Sequence, residues 1–212
     1  MPNFTCTFVR EIQTTSAAAV LLVALPDSTR RVLKLFPPPR PSCPRDPFLR
    51  ESTAYASLQQ HSVANVPRCH GTIEITALRR QLRGSAAWHS AFKQHQRLRG
   101  LLLDFIPDAT TLMAAPERLL QRPALVDAVV AGLERIHQAG VLHQDTLPRN
   151  IMVDAHDRVW WIDFGCALST AAGRIDPREF EAELEAMRDL LREDVVPAAR
   201  EGRTPEWWII GA

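Results

Sequence analysis

The 212 residues include 25 basic and 24 acidic side chains, for a formal net charge of +1, and 46% are apolar. That length and apolar share suit one globular unit, or one unit of two small lobes, and argue against a disordered tail. The longest unbroken apolar run is Ala17 to Leu25, far short of the roughly 20 residues that span a bilayer. It also lacks the basic start and cleavage site of a signal peptide. Cys6, Cys43, Cys69 and Cys166 form no CxxC pair, so neither a disulfide scaffold nor a membrane protein is expected. A reducing, cytoplasmic compartment fits better.

Three strands are expected first: Phe4 to Ile12 by alternation, Val20 to Leu25 as a short apolar run, and Arg31 to Phe36 after a Pro26-Asp27-Ser28 turn. A proline tract over 37–47 can be neither helix nor inner strand and reads as an extended linker. A helix follows from Pro47 to Gln60, then strands at His70 to Ile75 and Leu98 to Ile106. Between those strands, over 76–100, lies a basic insertion. It holds Arg79, Arg80, Arg83, Lys93, Arg97 and Arg99, with Trp88 and Phe92 interleaved. Pro123 to Gln138 is the clearest amphipathic helix and Gly140 closes it. Short strands at Ile151 to Val153 and Val159 to Ile162 bracket a polar turn. In the last helix Asp176 caps, Pro177 takes the first position and Glu179 completes a capping box. Phe180, Leu184, Met187 and Leu191 form its apolar face, and strands followed by helices make the fold class α+β.

Only two of the 25 basic residues are lysines, and one of them, Lys34, stands within the apolar run Val32-Leu33-Lys34-Leu35-Phe36. Further on, Leu142-His143-Gln144-Asp145-Thr146-Leu147-Pro148-Arg149-Asn150 sits between a helix and a short strand, and Asp163-Phe164-Gly165 comes 13 residues after Asn150. Taken singly, Asp145, Asn150 and Asp163 are ordinary turn or cap residues. As an ordered set with the upstream lysine, they resemble the protein-kinase-like fold: HxDxxxxN for the catalytic loop and DFG for the metal loop. The likeness runs from about Val20 to Leu191.

The resemblance implies a minimal two-lobe architecture, with an antiparallel β-rich N-lobe over 1–106 and a truncated helical C-lobe over 107–212. It also implies ATP and Mg²⁺ as cofactors. Lys34 would contact the α- and β-phosphates, with Glu51 in the following helix aiming it. Asp145 would orient or deprotonate the acceptor hydroxyl, Asn150 and Asp163 would ligate Mg²⁺, and the backbone of Asp104 and Ile106 would meet the adenine edge. His143 is expected to hold the loop, and His137 and Cys166 to serve packing.

Several positions depart from the family pattern. The loop from Gln13 to Ala19 has no glycine, leaving only Ser and Thr hydroxyls to meet phosphate. Gln144 and Leu147 stand where many protein kinases carry Arg and Lys, and 47 residues follow Gly165 without an APE-like segment. These departures favour a small molecule over a protein as the acceptor. A second enzyme class is an aminoacyl-tRNA-dependent synthase of the arginine-containing cyclodipeptide type, which would use the basic insertion to bind tRNA. A third is a pseudokinase that binds partners without catalysis.

Overall fold

The alternation of β3 (Arg30–Phe36) sets the geometry of everything that follows. In this computed structural model, which describes residues 5–39, 45–75 and 97–203, β3 is the middle strand of a five-stranded antiparallel sheet. Its companions are β1 (Thr7–Thr14), β2 (Ala19–Ala24), β4 (Cys69–Ile75) and β5 (Leu98–Asp104), in the order β1-β2-β3-β5-β4. Successive side chains leave opposite faces of a strand. Leu33 and Leu35 accordingly join Leu21, Val23, Leu98 and Leu102 in one apolar cluster. Phe36, with Val32 packed alongside, belongs to the larger core that reaches α1 (Pro47–Gln60). Lys34 shares the parity of Val32 and Phe36, so it points toward the helix.

Two small sheets and two long helices make up most of the rest. β6 (Thr110–Thr111), β8 (Ile151–Val153) and β9 (Val159–Trp161) form one small sheet, while β7 (Val141–Leu142) pairs with β10 (Leu168–Ser169). A short α2 (Arg118–Gln121) precedes α3 (Ala124–Gln138). After β10, α4 (Pro177–Asp189) leads through a π-helical turn, Leu190–Val195, into α5 (Val196–Glu201). The large core packs α1 and α3 with β8, β9, Met187 and Leu191. The architecture is α+β, with an antiparallel five-stranded sheet. Among the described residues no helix is long and apolar enough to cross a membrane.

Several expected boundaries move. β1 begins at Thr7 and runs to Thr14, with register breaks between Phe8 and Arg10 and between Glu11 and Gln13, and such bulges scramble a period-2 reading. β5 stops at Asp104, two residues before the expected end, because the chain turns at Pro107-Asp108. The final helix is interrupted at Leu190. The capping box forms as expected: Asp176 accepts from the Arg178 amide at 3.0 Å and Glu179 from the Asp176 amide at 3.4 Å. Gly140, at φ 72°, ends α3 where a Cβ would strike the Thr170 hydroxyl.

α3 packs closely on β9 at Gly132, where a Cβ would lie 2.7 Å from Asn65 Nδ2 and 2.8 Å from Trp161 Nε1. Trp161 is fully buried, and its indole donates to the Val129 carbonyl at 3.2 Å. Gly132→Ala is therefore expected to destabilise the fold by about 1–3 kcal/mol through overpacking. A lowered urea midpoint with an unchanged slope checks it; an unchanged midpoint rejects it.

Candidate active site

Strand parity takes the Lys34 side chain under the sheet, where a salt bridge of 2.6 Å joins its Nζ to Glu51 Oε2. The same ammonium donates to Asp163 Oδ1 at 2.8 Å. Lys34 is 5% exposed and Glu51 is not exposed at all. An unpaired ion at either position would cost several kcal/mol. Burial alone would lower the lysine pKa, but the Glu51 and Asp163 carboxylates raise it, so Lys34 stays a cation. Burial pushes the Glu51 carboxyl up to about 7, against the pull of Lys34 and the Phe164 amide. Burial also works against Asp163, yet the lysine and the Gly165 amide hold it below the usual carboxylate range.

The loop from His143 to Asn150 lies between β7 and β8, and the pairing of Leu142 with Leu168 brings it beside the segment that follows Gly165. His143 is fully buried among Trp161 and Phe164. Its Nε2 donates to the Ile162 carbonyl at 3.1 Å, and its Nδ1 accepts from the Asp145 amide at 3.3 Å. This pair of bonds specifies a neutral ring, which burial also favours. Asn150 Nδ2 donates to the Asp145 carbonyl at 2.8 Å, and the Asn150 carbonyl accepts from Ile162 N at 3.0 Å. One network thus ties Asp145, Asn150 and the residue before Asp163. Gln144 and Asp163 sit at φ 64° and 63°, left-handed backbone that non-glycine residues rarely adopt.

The remaining expected positions divide. The Asp104 amide is occupied by the Arg68 carbonyl at 3.0 Å, and its side chain by His70 Nε2 at 2.7 Å. An adenine edge could therefore use the carbonyl of Asp104 but not its amide. In the turn between β1 and β2, Thr15 Oγ1 accepts from the amides of Ala17 and Ala18 at 3.1 and 3.2 Å. The Thr15 hydroxyl, one of those expected to meet phosphate, is thus engaged within the turn. Arg79, Arg80, Arg83 and Lys93 lie outside the described residues. Arg97 is exposed beside Glu74 at 3.6 Å. Arg99 turns inward onto Asp46, at 2.6 and 3.0 Å, and so leaves the expected RNA-facing set. Among the described residues no three His, Cys, Asp or Glu side chains converge on a metal position. The oxygen donors at hand are Asn150 and Asp163. They are hard ligands of the kind that hold Mg²⁺ together with phosphate oxygens and water.

Two residues escape the motif reading. Arg149 Nη2 contacts both oxygens of Asp145, at 3.0 and 3.1 Å, so the acid is reached through a cation. Its opposite charge four residues after Asp145 was the available signal. Glu183, on α4, accepts from the backbone amides of His143, at 3.0 Å, and Gln144, and from His137 Nε2 at 2.7 Å. It lies three residues after Phe180 and four before Met187, an acid at a core-facing position. Burial opposes ionisation of Glu183, but these three donors keep its carboxyl below its usual pKa. The resulting stabilisation is present above the unfolded carboxylate value of about 4.3 and is lost as pH falls through the lowered folded value. Glu183→Gln should cost about 1–3 kcal/mol at pH 7. The gap between variant and wild type should shrink below about pH 4, where the unfolded carboxyl takes up its proton. Denaturation at pH 7 and pH 3 tests this, and equal gaps at both would count against it.

No family model matches the chain. Over 84 residues it is 30% identical to ribosomal protein S6 kinase beta of Caenorhabditis elegans, covering 40% of this chain and 14% of that protein. It is 24% identical over 127 residues to a probable serine/threonine-protein kinase of Dictyostelium discoideum, covering 58% and 27% respectively. Serine/threonine-protein kinase MRCK gamma of Homo sapiens is 25% identical over 146 residues, 61% of this chain and 9% of that protein. The chain thus spans about a quarter or less of the length of these relatives. Their shared description supports a kinase-like relationship across the matched part.

Proposed function

We propose that this chain is an ATP- and Mg²⁺-dependent phosphotransferase whose acceptor is a small molecule, working in the cytoplasm. The observation that carries this reading is the buried Lys34, held between Glu51 and Asp163 at 2.6 and 2.8 Å. A lysine enclosed by two carboxylates is prepositioned to take nucleotide phosphate without further ordering. Asp163 is the open member of the trio, its side chain 46% exposed. It would ligate the metal together with Asn150. Magnesium so held would neutralise phosphate charge as the γ-phosphoryl group transfers. Asp145 would accept the acceptor's hydroxyl proton, with Arg149 beside it steadying the carboxylate. Ile106, in the stretch after β5, and the Asp104 carbonyl would meet adenine. Among the described residues Cys6, Cys69 and Cys166 carry free thiols, Cys166 exposed and the other two half-buried.

Thermal-shift titration is the test. Mg-ATP at a hundred times its Kd should stabilise the wild type by about 2.7 kcal/mol. Asp163→Asn, which keeps shape and loses charge, should abolish most of that shift, as should Lys34→Ala. The absence of any wild-type shift at millimolar nucleotide would reject the proposal. Transfer of labelled γ-phosphate to hydroxylated metabolites in a cell extract, lost in Asp145→Asn, then identifies the acceptor class.

A further inference from the structure

We infer that Arg99 and Asp46 form a positioning clamp that sets α1, and through it Glu51, against Lys34. The inference rests on the reading of Lys34 and Glu51 as the phosphate-side pair, and its own test requires no nucleotide.

The clamp is built from three elements at once. Arg99 lies on β5 directly across from Phe36 of β3. Its Nη1 and Nη2 reach Asp46 Oδ2 and Oδ1 at 2.6 and 3.0 Å, a two-pronged contact, while Nη2 also donates to the Pro37 carbonyl at 3.3 Å. Asp46 caps α1, its Oδ1 accepting from the Phe48 amide at 3.1 Å. The guanidinium also lies 4.5 Å above the Phe48 ring, which meets Phe36 edge-to-face at 5.7 Å. One arginine therefore joins the sheet, the chain leaving β3 and the first turn of α1. Glu51 follows one turn later on the same rigid helix. The contact is partly buried, with Arg99 and Asp46 side chains 24% and 13% exposed, so solvent screens it less than an ordinary surface pair.

Apart from the clamp, the N-terminal half of α1 is held by Phe48 in the large core and by Glu51 on Lys34, and its outer side is open. A cavity of about 270 Å³ separates Leu49, Arg50 and Thr53 from the segment over 167–175. Leu49 is 56% exposed, and beside the cavity Arg50 donates to the Cys166 carbonyl at 2.7 Å. By contrast, the second half buries Ala54, Tyr55 and Leu58 completely or nearly so and is tied by Ser57 to Ser169 at 2.9 Å. The helix is thus closely packed at one end and backed by a cavity at the other, and the clamp holds the cavity-backed end, where Glu51 meets the lysine.

Lys34 and Lys93 are the chain's only lysines, which allows a direct measurement. Brief acetylation of the folded protein with an amine-reactive ester at pH 8, followed by peptide mass spectrometry, gives the modification ratio of Lys34 to Lys93. Freeing Lys34 from Glu51 exposes the amine to the ester. The ratio should rise about five- to ten-fold in Arg99→Gln, as local opening at the start of α1 becomes more frequent. Asp46→Asn keeps the cap acceptor but loses the charge, and should behave alike if Arg99→Gln folds poorly. Arg99→Lys should fall between those variants and wild type, because an ammonium restores charge without the two-pronged geometry. Gly132→Ala, destabilised elsewhere, should leave the ratio at the wild-type value, which separates the clamp from general loosening. An unchanged ratio in both Arg99→Gln and Asp46→Asn overturns the inference. A failed Mg-ATP shift would leave the labelling result standing, and the reverse also holds.

Discussion

The fold depends on keeping one cation under a sheet. Lys34 lies where β3 would ordinarily bury an apolar side chain, and Glu51 faces it from a helix interior with no solvent exposure. Each ion alone would cost several kcal/mol, and together they are tolerable only if their separation is held. Much of the surrounding structure follows from that requirement. Strand parity must point Lys34 inward, α1 must arrive at a fixed angle, and Asp163 must come up from below to share the ammonium. Burial pushes the Glu51 carboxyl up to about 7 while the Lys34 ammonium pulls it down, a tension between two opposed effects.

That tension is opposed by tethers of a different kind at each contributing element. At α1 the tether is a charged cap joined to the sheet by Arg99. At the loop from His143 to Asn150 it is backbone hydrogen bonding, from Glu183 on one side and Ile162 on the other. Backbone tethers suit this loop because Gln144 and Asp163 hold left-handed dihedrals that a loosely packed loop would relax. Glu183 and Ile162 thus fix the backbone beside Asp145 and just before Asp163. Asp154 does comparable work in the turn between β8 and β9, accepting from two amides, Arg158 Nε and Trp160 Nε1.

Legibility in the sequence tracked how local each determinant was. The bounds of α1 were readable because Pro47 at the first helical position and the run to Gln60 are local signals. The capping box of α4 was readable for the same reason. The two-residue strands β6, β7 and β10 carry no periodicity and could not be seen. β1 was displaced because its bulges break alternation. Arg99 was grouped with the basic insertion on charge density alone. Nothing near it in the chain reveals a partner 53 residues away. Glu183 left a fainter trace, an acid on an apolar face.

The sequence by itself determined the α+β class, the place of a rare lysine within an apolar strand and the spacing of Asp145, Asn150 and Asp163, because propensity and spacing are properties of short stretches. Only the tertiary structure decided which charges neutralise which. It added Asp163 to the expected pair of Lys34 and Glu51, and joined Arg99 to Asp46 and Arg149 to Asp145. Ion pairing depends on separations of a few ångströms and on local burial, and neither exists until the distant segments have packed.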